Sequence, residues 1–184
     1  METRDNYFTN YRSKLAVISM EPILILTTGG TIDKIYFDAK SAYEVGPPNI
    51  SRLLAELNLG IEYRVVSLMR KDSLELTDAD RQLICDHVSQ AQERQVLITH
   101  GTDTMVETAE KLLKVTAKTI VLTGALEPAL FKTSDAPFNI GCGLTAVQTL
   151  AAGVYIAMNG RVFSAGKVWK NVQANRFEAI NSNQ

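Results

Sequence analysis

Five short apolar runs punctuate the chain: Ile23 to Thr27, Tyr63 to Leu68, Val96 to Thr99, Thr119 to Thr123 and Val154 to Met158. Each is short for a helix and lacks the alternation of a strand with one wet face, so each predicts a buried strand. The segments between them carry apolar residues at helical spacing: Ile50, Leu53, Leu54 and Leu57 in one, and Leu83, Ile84, His87, Val88 and Ala91 in another. Strands alternating with helices imply an α/β fold, doubly wound around a mostly parallel sheet of the Rossmann or flavodoxin-like kind.

Local signals sharpen this outline. Thr77-Asp78-Ala79-Asp80 and Thr104-Met105-Val106-Glu107 both place a hydroxyl three residues before a carboxylate, the pattern of a capping box at a helix start. Asn159-Gly160, between Tyr155-Ile156-Ala157-Met158 and Arg161-Val162-Phe163, predicts a hairpin near the C-terminus. Beyond Gly166 the pattern weakens and predicts no element. No repeat or linker divides the sequence, so residues 21–184 are expected to form one domain, preceded by a flexible leader over 1–20. Within that leader, Arg12 and Lys14 ahead of Leu15-Ala16-Val17-Ile18 imitate a signal peptide, but the run is short, stops at Glu21-Pro22 and lacks a cleavage site.

Charge and cysteine content exclude several classes. With 19 basic against 20 acidic residues the net charge is −1, too little to follow a phosphate backbone or an anionic bilayer, so neither nucleic acid nor membrane is an expected partner. No stretch approaches the ~18 apolar residues of a membrane span. Cys85, Cys142 and the two histidines match neither a redox pair nor a zinc spacing. No metal or cofactor is expected, and a reducing cytoplasm is the simplest compartment. Cys85 reads as core, and His87, on the same helical stripe, as a partly buried histidine.

In an open parallel sheet the ligand crevice lies beyond the carboxyl ends of the strands. The first strand there runs into Thr28-Gly29-Gly30-Thr31-Ile32-Asp33, the second into Arg70-Lys71-Asp72-Ser73, and the third into His100-Gly101-Thr102-Asp103-Thr104. Three strands thus deliver polar groups to one edge. The Gly29-Gly30 turn has neither the spacing of a dinucleotide site nor the lysine of a phosphate loop, which weakens a nucleotide-binding reading.

Taken together, Thr28-Gly29-Gly30-Thr31-Ile32 and Ile98-Thr99-His100-Gly101-Thr102-Asp103-Thr104-Met105 resemble the two signatures of the threonine-dependent L-asparaginases and glutaminase-asparaginases. Further matches follow in order: Lys40 to Gly46, Gly124-Ala125, Ser134 to Asn139, and Met158-Asn159. The resemblance covers about Ile23 to about Lys170. It implies Thr31 as nucleophile, Tyr43 on a loop closing over it, Thr102 and Asp103 as the Thr-Asp pair of the second signature, and Lys170 completing a Thr-Lys-Asp group. Tyr36 is a rival for the phenol role, and Gly30, Gly101 and Ala125 would line the substrate site. Where better-known members have Ser-Gln-Asp for the amino-acid head group, this chain has Arg70-Lys71-Asp72; Asp72 is kept as a substrate residue, with Arg70 or Lys71 expected to meet the α-carboxylate. Asp33 stands where the family has a small residue.

The implied activity is hydrolysis of L-asparagine through a threonine acyl-enzyme, with little action on glutamine. The chain ends before the second domain that most of the family carries, so it resembles a short single-domain branch, and a homo-oligomer, dimer or tetramer, is expected to complete the crevice. The alternative is a non-catalytic amino-acid-binding or regulatory domain on the same fold.

Overall fold

The computed structural model describes residues 21–37 and 42–180; the expectation for the leader falls outside them. β1 (Ile23–Gly29) is buried throughout, as its uninterrupted apolar run requires. It is followed by a 3-10 turn at Thr31–Asp33, then a hairpin of β2 (Lys34–Phe37) and β3 (Ala42–Val45). Next come α1 (Asn49–Ala55), β4 (Tyr63–Lys71), a second 3-10 turn at Ser73–Glu75 and α2 (Asp78–Gln90). Then follow β5 (Gln95–Thr99), α3 (Met105–Leu112), β6 (Thr119–Thr123) and α4 (Ala136–Thr149). The chain continues through β7 (Gly153–Met158), β8 (Arg161–Ser164), β9 (Val168–Asn171) and β10 (Arg176–Ala179).

The main sheet has the order β4-β1-β5-β6-β7-β8. Its first five strands are parallel and β8 is antiparallel to β7. That is the flavodoxin-like order, in which the chain reverses its winding between β1 and β5. The reversal sends the connections after these two strands to opposite faces and opens a crevice between their carboxyl ends. Leu24 and Leu26 of β1 belong to the apolar cluster shared with α2 and α3, whereas Ile23 and Ile25 belong to the cluster shared with α1 and α4. Burial on both faces explains why the runs of β1, β5 and β6 lack alternation. The expectation of a buried strand at Tyr63 to Leu68 is corrected, because β4 lies at the sheet edge and none of its residues is fully buried. The predicted hairpin is present: Asn159 and Gly160 both have positive φ, 54° and 73°, as a two-residue type I′ turn demands.

At the start of α2 the Thr77 hydroxyl accepts the Asp80 N–H, and the Asp80 carboxylate accepts the Thr77 N–H at 2.9 Å. Thr77→Ala will cost about 1 kcal/mol of stability in urea unfolding. The second capping box does not form. Thr104 donates its hydroxyl to the Ser73 carbonyl at 2.8 Å, and Glu107 pairs with Arg81 at 2.7 Å; a tertiary contact outbids the local cap. The expectation for His87 is also corrected. The buried stripe of α2 is Arg81, Ile84, Cys85 and Val88, which rotates Leu83 and His87 to solvent, while Cys85 is core as expected.

Two hairpins lack a sequence signal strong enough to predict them, β2–β3 and β9–β10. The second docks through Val168 and Phe177, both buried in the α2–α3 side of the core, and through the Phe177 N–H, which donates to Asn159 Oδ1 at 2.9 Å. Lys170 is the register partner of Phe177, so it lies on the same inward face.

Candidate active site

The Gly29-Gly30 turn is shaped by contact on both sides. Gly29 and Gly30 have φ of 97° and 88°, a region that side-chain-bearing residues avoid. A methyl group on Gly29 would strike the Lys71 backbone, and one on Gly30 would strike the Gly101 backbone. The glycines therefore let the turn after β1 lie directly on the loop after β5, which brings Thr31 to the mouth of the crevice. The Gly30 N–H donates to the Lys71 carbonyl at 2.9 Å, the Asp33 N–H to the Gly30 carbonyl at 3.0 Å, and the Ala129 N–H to the Ile32 carbonyl at 3.1 Å. Thr31 thus sits on a backbone held by its own turn and by two neighbouring segments, the end of β4 and the loop carrying Ala129, with its own side chain half-buried. Because Gly30 is engaged, the donors left in this turn are the Thr31 and Ile32 N–H groups, which have no partner among the described residues at the start of a 3-10 helix.

Opposite stand Thr102, buried, and Asp103, 42% exposed at its side chain. The Lys170 amine donates to Thr102 Oγ1 at 2.8 Å and to Asp103 Oδ1 at 2.5 Å. These three residues converge although 68 positions separate Thr102 from Lys170. A hydroxyl that accepts from an amine keeps its own proton to donate, so Thr102 is set up as a donor into the crevice.

Behind Thr102, His100 is fully buried. Its Nδ1 lies 2.7 Å from the Gly101 carbonyl and its Nε2 2.9 Å from the Thr108 hydroxyl. The carbonyl requires a proton on Nδ1; because burial keeps the ring neutral at pH 7, Nε2 is an acceptor, and the Thr108 hydroxyl donates to it at 2.9 Å in preference to the Thr104 carbonyl at 3.3 Å. Burial, against the Gly101 bond and helped by Arg81, lowers its pKa to about 4. Its role here is to brace the peptide that carries Thr102.

Tyr36 and Tyr43 are register partners across β2–β3, with ring centroids 5.5 Å apart, and Tyr43 packs edge-on against Phe131 at 6.1 Å. The two rival phenols thus form one exposed aromatic cluster, and Tyr43 belongs to a strand rather than a loop. The head-group residues divide differently. Lys71 Nζ lies 2.8 Å from both oxygens of Asp80, whose carboxyl that bond and the two from Thr77 lower to about 2, so Lys71 faces the start of α2. Asp72 is held by Lys34 at 2.8 Å and accepts the Leu74 N–H; burial pushes its carboxyl up, but Lys34 and the backbone bonds outweigh it and the pKa falls below the ordinary value. Arg70 remains exposed at the end of β4. Ala125 is buried, on a loop fixed by Asp135, which accepts the Leu126 and Glu127 N–H groups.

Lys34 and Ser73 take part in this site without having been singled out in the sequence. Lys34 carries no motif; Ser73, buried where a Cβ on Gly101 would strike its side chain, was visible only as a neighbour of Asp72.

Asp33 is buried behind the Thr31 turn, its Oδ1 accepting the Asn49 N–H at 2.7 Å. Burial pushes its pKa from 3.8 to about 6, against the Asn49 bond and the Arg70 charge. A raised carboxyl pKa stabilises the fold below the ordinary value and loses that contribution as pH rises through about 6. The lowered His100 pKa acts oppositely: its contribution is complete above 6.5 and is lost as pH falls towards about 4. Asp33→Asn removes the first effect alone. Between neutral pH and about pH 4 the stability of that variant relative to wild type will fall by up to about 3 kcal/mol, read by urea unfolding at both pH values.

Comparison with known proteins identifies the family. The family model for the asparaginase N-terminal domain matches residues 22–184. The chain is 33% identical over 172 residues to L-asparaginase 2 of Escherichia coli, covering 84% of this chain and 48% of that protein. It is 32% identical over 165 residues to the glutaminase-asparaginase of Acinetobacter glutaminasificans, covering 82% of this chain and 50% of that one. The thermostable L-asparaginase from Thermococcus kodakarensis superposes with a TM-score of 0.77 at 27% identity, over 87% of this chain and 51% of that chain. The chain therefore spans about half the length of these relatives. By the matched model, the shared fold and the placement of both glycine-bearing loops, this chain belongs to the asparaginase family, as a form of its N-terminal domain.

Proposed function

We propose that the chain is an amidohydrolase that converts L-asparagine to L-aspartate and ammonia, with Thr31 as nucleophile. The observation that carries this reading is the Thr102–Lys170–Asp103 group at the crevice where the Thr31 turn rests on Gly101. Thr31 Oγ attacks the side-chain amide carbon while its proton is relayed through the Tyr43 phenol on the neighbouring hairpin, which accepts it and gives its own proton on towards the leaving nitrogen. The carbonyl oxygen takes the negative charge and is met by the Thr102 hydroxyl and the free N–H groups of the Thr31–Ile32 turn. The C–N bond then breaks, the amine leaves as ammonia with a proton returned to it, and an ester joins Thr31 to the aspartyl group. Water adds to that ester and regenerates Thr31 and the carboxylate.

Substrate recognition follows from what remains unpaired. Asp103 uses Oδ1 for Lys170 and keeps Oδ2 for the substrate ammonium. Arg70, the exposed cation of the head-group stretch, meets the α-carboxylate, whereas Lys71 is committed to Asp80. A binding subsite of fixed charges favours the shorter asparagine over glutamine, and a second copy of the chain closes the crevice. The unpaired Cys85 and Cys142 accord with a cytoplasmic protein, and among the described residues no helix is long and apolar enough to cross a membrane.

The deciding experiment is ammonia release from asparagine and glutamine by the purified chain, with a binding titration of both. Turnover of asparagine supports the hydrolase; binding without turnover makes the chain an amino-acid-binding module instead.

A further inference from the structure

Asp33 is a buried carboxylate that the proposed reaction leaves without a task. It closes the same 3-10 turn that carries Thr31, two residues on. Its side chain accepts the Asn49 N–H at 2.7 Å, at the first residue of α1. Its main-chain carbonyl accepts the Gly46 N–H at 2.8 Å, one residue beyond the end of β3. The Asn49 side-chain amide returns to the Ile32 carbonyl at 3.3 Å. Gly46 itself is pressed against the Ile35 side chain of β2, close enough that a Cβ would be crowded. These contacts fasten the foot of the β2–β3 hairpin, which carries Tyr36 and Tyr43, to the turn that carries Thr31.

We propose that Asp33 is a positioning residue for the Thr31 and Tyr43 pair, acting as an ionisable clamp between the nucleophile turn and the segment joining β3 to α1. The inference rests on Thr31 as nucleophile of the hydrolase. An ionised carboxylate accepts the Asn49 N–H more strongly than a neutral one and attracts Arg70, so the clamp tightens on deprotonation. The charged groups on the elements packed around it favour that form only modestly. Arg70 at the end of β4 lowers the pKa, but burial prevails and sets it at about 6. Lys34, next in the chain, is taken up by Asp72; Arg52 on α1 is paired with Glu56 at 2.9 Å; Glu44 lies on β3 as the register partner of Ile35.

The test compares wild type, Asp33→Ala and Asp33→Asn by asparagine turnover on both sides of pH 6, and by amide proton–nitrogen correlation spectra over the same range. The alanine variant will lose on the order of 10- to 100-fold in kcat with a smaller change in KM, because orientation rather than binding is lost. Asparagine at this position keeps an acceptor for Asn49 and will recover most of that loss, but will lack the rise in kcat/KM through about pH 6. In wild type the Asn49 and Thr31 amide signals will titrate together with a midpoint near 6, and in Asp33→Asn they will not. A kcat for Asp33→Ala within twofold of wild type, or a Thr31 signal that stays fixed while Asn49 titrates, overturns the proposal. If wild type hydrolyses no asparagine, the hydrolase reading fails alone; the spectra still decide the clamp.

Discussion

Replacing Thr31 by alanine will lower kcat for asparagine by on the order of 10⁴-fold or more, while the dissociation constant for asparagine changes by no more than a few-fold. The expected split follows from where the side chain acts. In the proposed reaction its hydroxyl oxygen forms the bond to the acyl group, so its removal eliminates the intermediate rather than a recognition contact. The turn itself should survive the change. The bonds that fix it, Gly30 to Lys71, Asp33 to Gly30 and Ala129 to Ile32, are all between backbone groups and do not involve the Thr31 side chain. Thr102, Lys170 and Asp103 are likewise undisturbed, so a substrate titration remains meaningful in the variant. Serine at position 31 keeps the nucleophile and should retain measurable turnover. Substantial hydrolysis by Thr31→Ala would mean that water attacks the amide directly, and the acyl-enzyme would have to be abandoned.

The sheet was readable in the sequence because burial on both faces leaves a physical mark. Ile23 to Thr27, Val96 to Thr99 and Thr119 to Thr123 are runs without alternation, and they became β1, β5 and β6, the three strands at the centre. The edge elements leave a weaker mark. In β3 the burial pattern is two exposed residues followed by two intermediate ones, and β9 buries only Val168 fully. Four-residue strands of this kind depend on docking rather than on periodicity, so β2–β3 and β9–β10 were not predicted. The same reasoning explains His87. A helical wheel fixes which residues share a stripe, but the stripe of α2 is turned towards α3 by Arg81, whose aliphatic stem is buried while its guanidinium meets Leu76 O and Glu107.

Site residues follow a similar division. Thr31, Thr102 and Asp103 follow strands directly, and a parallel sheet alone nominates that edge. Lys170 came from the family resemblance, since neither spacing nor composition distinguishes one lysine on a late hairpin. Asp33 was noticed as an unusual residue, but its burial depends on Asn49 and Gly46 folding back over it, which no local pattern encodes. Lys71 illustrates the reverse: it sits beside Asp72 in sequence, yet successive residues at the end of a strand point to opposite sides, and Asp80 was close enough to hold it.

Phe177→Ala will destabilise the fold by about 3–5 kcal/mol in urea unfolding, the range for deleting a large buried aromatic side chain. Phe177 is 2% exposed and packs in the cluster that includes Met105, Leu112, Phe163 and Val168. Its consequence for activity should exceed what stability alone explains. Lys170 is its register partner across β9–β10, and the Phe177 N–H to Asn159 bond, Val168 and the partly buried Ala179 also tie the hairpin to the core. Loosening the hairpin withdraws the amine from Thr102 and Asp103, so under conditions where the variant is still folded kcat should drop while the wild-type helix content persists. Leucine at the same position fills more of the space and should restore both quantities in part. A Phe177→Ala protein that is as stable as wild type would show that the hairpin is not anchored through this side chain. One that is destabilised but keeps full kcat would show that Lys170 reaches Thr102 independently of the core and is not placed by this packing.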